Sequence, residues 1–236
     1  MIDRESDRDI DRAIQRECAP SDHRTGGLRR RPTQQRSRQR VRLILDAAAE
    51  LLEEGGYPAL TTTAIAARAN VSVGSIYQFF SNVDAIVTEL VRDWVAGFDA
   101  IMEHLDELGD VPMGESIDSI IDEYVEFIRK TRGFVAIYFN NGLTGDSRAL
   151  DRASNDSLAD RLAAYWSHRY GIKPDDRVIA VAKVAIHIGD SLLALAFRRT
   201  PGGDEAIIAE TKRAARSYVI SALTDLGVEP PAVARS

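Results

Sequence analysis

From residue 33 onward the apolar positions recur every three and four residues, and no stretch alternates with the period of two that a half-buried strand requires. Val41, Ile44, Leu45, Ala48, Leu51 and Leu52 share one face of a helix predicted over 33–54, which Gly55-Gly56 ends. Thr61, Thr62 and Thr63 offer cap hydroxyls to a short helix carrying Ile65, Ala66 and Ala69. Asn70, which tolerates left-handed dihedrals, then turns the chain, and Ser72 or Val73 opens a second short helix that closes near Phe80. Beyond Asn82 the helices lengthen: 82–108, 115–130, a short aromatic segment 133–141, 147–170, one from the cap Asp175 to about 199, and a last from Asp204 to 226. The pattern predicts an all-α chain of about nine helices without internal repeats. Its expected parts are an Arg/Asp-rich leader (1–32), a three-helix unit (33–81), a larger helical unit (82–228) and a tail (229–236).

Composition narrows the class. With 44% hydrophobic residues in 236, the chain can build a core and is not disordered throughout. Its longest run free of Asp, Glu, Lys and Arg is 15 residues, 69–83, short of the roughly 20 apolar residues that cross a bilayer, so no membrane partner is expected. The first residues are charged and lack an apolar signal core, which predicts a cytoplasmic protein whose lone Cys18 stays a thiol. The net charge of −6 is unevenly spread: −3 over 1–23, +4 over 24–92 and −7 over 93–236. Arg24, Arg29, Arg30, Arg31, Arg36, Arg38, Arg40 and Arg42 occupy 19 residues with no acid among them. Such a strip suits phosphate, because Arg forks match phosphate oxygens and each neutralised phosphate releases a counterion. The plainer alternative is a solvated tail, and the residues C-terminal to the strip decide between them.

Those residues keep a fixed order. Gly56-Tyr57 closes the first helix; Leu60-Thr61-Thr62 precedes the second, which contains Ile65-Ala66; Val71-Ser72-Val73-Gly74-Ser75-Ile76-Tyr77-Gln78-Phe79-Phe80 crosses the third; Asn82 and Asp84-Ala85-Ile86 open the fourth. About a dozen positions over 36–86 thereby resemble the DNA-binding domain of the tetracycline-repressor (TetR) family of bacterial transcription regulators. The residues make physical sense in that role. A reading helix needs small side chains on its leading turn and apolar ones behind. Ser72, Val73, Gly74 and Ser75 lead here, while Val71, Ile76, Phe79 and Phe80 can pack inward. Ser75 can reach a base edge or phosphate, Val73 a thymine methyl and Gln78 an adenine edge. The resemblance implies that Tyr77 contacts a phosphate, as the matching family Tyr does. Arg36, Arg40, Thr61, Thr62, Thr63 and Asn82 complete the expected DNA-binding set. Without the motif, Tyr77 and Phe79 would read as core aromatics and the serines as caps.

Two positions depart from the family pattern. Val83 stands where a phosphate-anchoring Lys is common, so one backbone contact per subunit is expected to be missing, and Asn70 replaces a frequent Gly. The Arg-rich leader is expected to compensate by entering the adjacent minor groove.

The remaining helices resemble the family in class and length, which implies an effector-binding and dimerisation unit. The last two helices carry broad stripes rich in small and apolar residues, Val178, Val181, Ala182, Ala185, Ile188, Gly189, Leu192 and Ala196 on one and Ile207, Ile208, Thr211, Ala214, Ala215, Tyr218, Val219, Ala222 and Leu223 on the other. They are expected to form a homodimer interface; the alternative is that they only complete the monomer's core. An effector pocket is expected among Trp94, Phe98, Met102, Tyr124, Phe127, Phe134, Tyr138 and Trp166, with His187 and Asp190 as orienting polar groups. The alternative for each is ordinary core packing. The implied function is a repressor acting on double-stranded, pseudo-palindromic operator DNA and released by a small hydrophobic or aromatic ligand, with no cofactor and no metal.

Two rival classes compete with that function. A helical interaction module that no longer reads DNA is left open by Val83. An all-α enzyme lacks support: His23, His104, His168 and His187 are scattered, and no metal, nucleophile or phosphate-loop motif appears, so no catalytic residue is expected. Gly142 to Asp146 has two glycines but no Lys, and the acids Asp118, Asp122, Glu123 and Glu126 read as a wet helix face.

Overall fold

A computed structural model describes residue 28 and residues 35–107, 111–140 and 142–228, the side chains of residue 100 and of residues 102–107 excepted. The described residues form nine α-helices: α1 (Gln35–Gly55), α2 (Thr62–Arg68), α3 (Val73–Phe79), α4 (Val83–Glu107), α5 (Met113–Lys130), α6 (Phe134–Tyr138), α7 (Gly145–Tyr170), α8 (Asp176–Phe197) and α9 (Glu205–Thr224), with a 3-10 turn at Tyr57–Ala59. The all-α expectation is met.

Local chemistry sets the boundaries. Gly56 takes φ +65° after α1, a conformation that costs a Cβ-bearing residue but not glycine. The Thr61 hydroxyl accepts from Ala64 N at 3.0 Å and the Ser72 hydroxyl from Ser75 N at 3.1 Å, each capping a seven-residue helix. Between them Asn70 adopts φ +53°, the left-handed turn expected of it. Asp175 and Asp204 cap α8 and α9.

Helices α1 to α3 close on the start of α4 around Ile44, Ile65, Ile76, Phe80 and Ile86, all fully buried. Helix α4 continues into the larger bundle, packing on α5 and α7, while α8 packs on α7 and α9. The short α6 touches both α1 and α8 and so bridges the small bundle to the large one. This bridge depends on Gly133, at φ +76°: a Cβ there would meet Leu52 Cβ at 2.9 Å and the Ala49 carbonyl oxygen at 3.1 Å.

The structure adds three features to the sequence reading. Asp118 and Asp122 do not face water alone; they pair with Arg216 at 2.9 Å and Lys212 at 2.5 Å, tying α5 to α9. Thr144 caps α7 in a capping box with Ser147, so the segment around Gly142–Asp146 is a helix start. Among the described residues α8 is long and apolar enough to cross a membrane by length and composition, which charge-free runs alone do not reveal because Lys183 and Asp190 interrupt it. Only 17% of its apolar window is buried inside the chain, and Val184 and Leu195 stand exposed. The leader and tail lie outside the described residues, save that Leu28 makes one antiparallel bridge to Phe80 and packs on the core.

Candidate nucleic-acid interface and its apolar cavity

Helix α3 turns two different faces outward and inward. Ile76 and Phe79 are buried, whereas Tyr77 is 45% exposed and Ser72, Gly74 and Gln78 are exposed beside it. Phe79 is thus a core aromatic and Tyr77 is not. Ser75 is half-buried, its hydroxyl 2.8 Å from that of Ser72. Val73 is half-buried against the core. A Cβ built on Gly74 would meet only Ser72 Oγ at 3.8 Å, so nothing within the chain requires glycine there. Thr61 and Thr63 are exposed at the start of α2 and Thr62 is half-buried. Arg36 and Arg40 are exposed one turn apart on α1. The Asn82 side chain accepts from Ala85 N at 2.9 Å, which makes it the cap of α4. Val83 packs partly buried against the core, an apolar use of the position where the family often carries Lys.

The frame that holds α3 is ion-paired. Arg68 on α2 reaches Glu50 at 3.1 Å and Glu54 at 2.7 Å on α1, hydrogen bonds that raise its own pKa and hold Glu54 below the usual carboxylate range. Arg132, beside α6, reaches Glu50 at 3.2 Å. Asp84, in the first turn of α4, accepts from the Tyr57 hydroxyl and from Thr144 Oγ1 at 3.3 Å. Burial and the adjacent Asp84 carboxylate push Tyr57 up to about 12, so it remains a hydroxyl donor. One carboxylate therefore joins the turn after α1, the start of α4 and the cap of α7.

A cavity of about 130 Å³ opens between α4, α5, α7, α8 and α9. Of the expected pocket residues, Phe98, Tyr124, Trp166 and Asp190 line it. Trp94, Phe127, Phe134 and Tyr138 form a ring cluster beside it instead: Phe134 stacks on Tyr138 at 4.3 Å, and Phe98 touches Phe127 at 4.8 Å and Tyr124 at 5.2 Å. Met102 lies outside the described side chains. His187 is exposed, bonded through Nδ1 to the Lys183 carbonyl at 3.0 Å, and is absent from the cavity wall. Asp190 accepts instead from the Tyr124 hydroxyl at 3.1 Å. Burial pushes Asp190 up to about 6 and Tyr124 well above its usual value, the Tyr124 hydrogen bond holding Asp190 down in part. Sequence reasoning missed Asn155, Leu158 and Leu162, which line the cavity from α7; their spacing with Trp166 is a helical stripe that marks one face without naming its neighbour.

Two family models match the chain, that of bacterial regulatory proteins of the tetR family over residues 44–90 and that of the tetracyclin repressor-like C-terminal domain over 112–223. The crystal structure of a TetR-family transcriptional regulator from Streptomyces coelicolor is 35% identical, the match covering 79% of this chain and 99% of that one with a TM-score of 0.60. The chain belongs to the TetR family. It is accordingly a DNA-binding transcriptional regulator. Among TetR-family relatives, the transcriptional repressor KstR of Rhodococcus jostii is 28% identical over 176 residues, 72% of this chain and 78% of KstR. FadR of Bacillus subtilis, crystallised in complex with stearoyl-CoA, shares the fold at 17% identity and a TM-score of 0.58, over 77% of this chain and 98% of FadR.

Proposed function

We propose that this TetR-family regulator is a cytoplasmic repressor that binds a pseudo-palindromic operator as a homodimer and leaves it when a small hydrophobic or aromatic ligand enters the bundle. Residues 33–81 read the DNA; residues 82–228 hold the effector and dimerise. The observation that carries the reading is the two-sidedness of α3, whose outer face offers Ser72, Gly74, Tyr77 and Gln78 while Ile76 and Phe79 anchor it from behind. Tyr77, the threonines at the start of α2, and Arg36 and Arg40 are assigned to phosphates; Gln78, Val73 and Ser75 to base edges; Asn82 supports them by capping α4.

Val178, Ala182 and Ala196 of the expected α8 stripe and Ile208, Ala215, Val219 and Leu223 of the α9 stripe are buried within the chain, so the dimer is assigned instead to the outer faces of α8 and α9. Val184, Ile188, Leu192 and Ala214 line a shallow surface depression there, and the exposure of so apolar a helix is accounted for by a second copy. Two reading helices about 34 Å apart meet successive major-groove faces. A ligand that fits only a bundle with the wrong spacing lowers DNA affinity, and a typical coupling of about 1–3 kcal/mol loosens binding roughly 5- to 150-fold. Helix α6 and the Tyr57–Asp84–Thr144 cluster are the contacts through which a shift of α7 or α8 reaches α1 and α4.

Selection of random duplex oligonucleotides with the purified full-length chain tests the reading. An enriched palindrome with half-sites one helical turn apart, bound with a salt-dependent Kd, is expected; no enrichment after repeated rounds overturns it.

A further inference from the structure

The cavity carries a chemical signature that restricts what can occupy it. Its wall is mostly aromatic and aliphatic, with Phe98, Tyr124 and Trp166 as its rings; Asn155 is its one amide and Asp190 its one charged residue, and no Lys, Arg or His lines it among the described residues. Asp190 sits with a single described donor, the neutral Tyr124 hydroxyl at 3.1 Å. A carboxylate accepts about four hydrogen bonds, so it can take further donors beside Tyr124. His187, one turn away on α8, is exposed and bonded through Nδ1 to the Lys183 carbonyl, and its electrostatic effect on Asp190 is to lower the pKa of that carboxyl. A second carboxylate, Asp151 on α7, adds to the negative field at Asp190.

We propose that the cavity selects an apolar, ring-sized molecule bearing a protonated amine, which donates to the Asp190 carboxylate while its body rests on Phe98, Tyr124 and Trp166, and that it rejects carboxylates of the same shape. This assignment rests on the reading of the cavity as the effector site. Charge decides the selectivity, because a like charge beside Asp190 in an apolar wall is repelled far more strongly than in water, whereas an ammonium gains a charge-assisted hydrogen bond and the faces of aromatic rings. Size restricts the ligand to about one ring with a short arm, since a protein cavity of about 150 Å³ accommodates benzene and this one measures about 130 Å³. With Asp190 raised by burial only to about 6, the carboxylate form prevails at neutral pH.

Benzylamine, benzyl alcohol and benzoate, titrated into the full-length protein by calorimetry, share a ring and differ in charge. Benzylamine is expected to bind at least about tenfold more tightly than benzoate, and Asp190→Asn to abolish that preference. Should Asp190→Asn fold poorly, the wild-type protein gives a second measurement. The preference should shrink as the pH falls through the range in which Asp190 takes up its proton, the other titratable groups facing it being Tyr124, Asp151 and His187. Equal binding of amine and carboxylate, a preference indifferent to both Asp190→Asn and pH, or no saturable binding of any probe overturns the assignment. Amine-selective binding that leaves operator affinity unchanged upholds the assignment and overturns the effector-release reading instead.

Discussion

Replacing Gly74 by Ala separates the two demands on α3, because stability and DNA affinity should move in opposite directions. Gly74 is the second residue of α3, exposed, and the nearest heavy atom to an added Cβ is Ser72 Oγ at 3.8 Å, ordinary contact that disturbs neither the cap nor the core. Glycine costs a helix interior up to about 1 kcal/mol relative to alanine, and less in a first turn, so Gly74→Ala should stabilise the free protein by about 0.5 kcal/mol and raise its Tm by roughly 1–2 °C. If the leading turn of α3 approaches DNA at van der Waals distance, the new methyl occupies space that the duplex needs, once in each subunit. Operator affinity should then fall at least about tenfold, about 1.4 kcal/mol. Thermal melting and fluorescence anisotropy with labelled operator measure both quantities on one preparation. Unchanged affinity alongside the expected stabilisation would remove Gly74 from the interface and refute the placement of α3. Loss of stability would refute the packing argument.

Tyr77→Phe and Gln78→Ala should each weaken operator binding about tenfold, and Gln78→Ala should leave Tm unchanged, since its side chain is exposed; a large loss of stability would return either residue to the core. Val184→Asp places a charge on the exposed stripe of α8 and should halve the particle mass measured by light scattering; a persisting dimer would move the interface elsewhere. Asp190 titrates at about 6 in the folded chain against about 3.9 unfolded, so the native state holds more protons between those values and stability falls as pH rises through them. Asp190→Asn should therefore match wild type near pH 4 and exceed it by about 3 kcal/mol at pH 7, measured by urea unfolding; a constant difference across that range would contradict the raised pKa of Asp190.

Helix count, caps and the reading motif were legible in the chain itself because each is local chemistry. A hydroxyl three residues before a free N–H caps α2 and α3 wherever they pack, and the spacing of Ile44, Ile65 and Ile76 marks inward faces without reference to a partner. The sequence likewise determined the family, since the residues over 36–86 keep one order and spacing. Tertiary structure alone decided which apolar stripe meets which. Trp94, Phe134 and Tyr138 look as pocket-like in sequence as Phe98 and Trp166, yet they pack on one another, and the cavity wall comes from α7 residues that no local signal distinguished. Charge partners were equally hidden: Asp118 and Asp122 find Arg216 and Lys212 about 90 or more residues away, and Asp84 joins Tyr57 to Thr144 across three elements. The physical reason is that a helix's period reveals the direction of its buried face, while the identity of what covers that face depends on how separate helices cross, and no stretch of a single helix encodes the crossing.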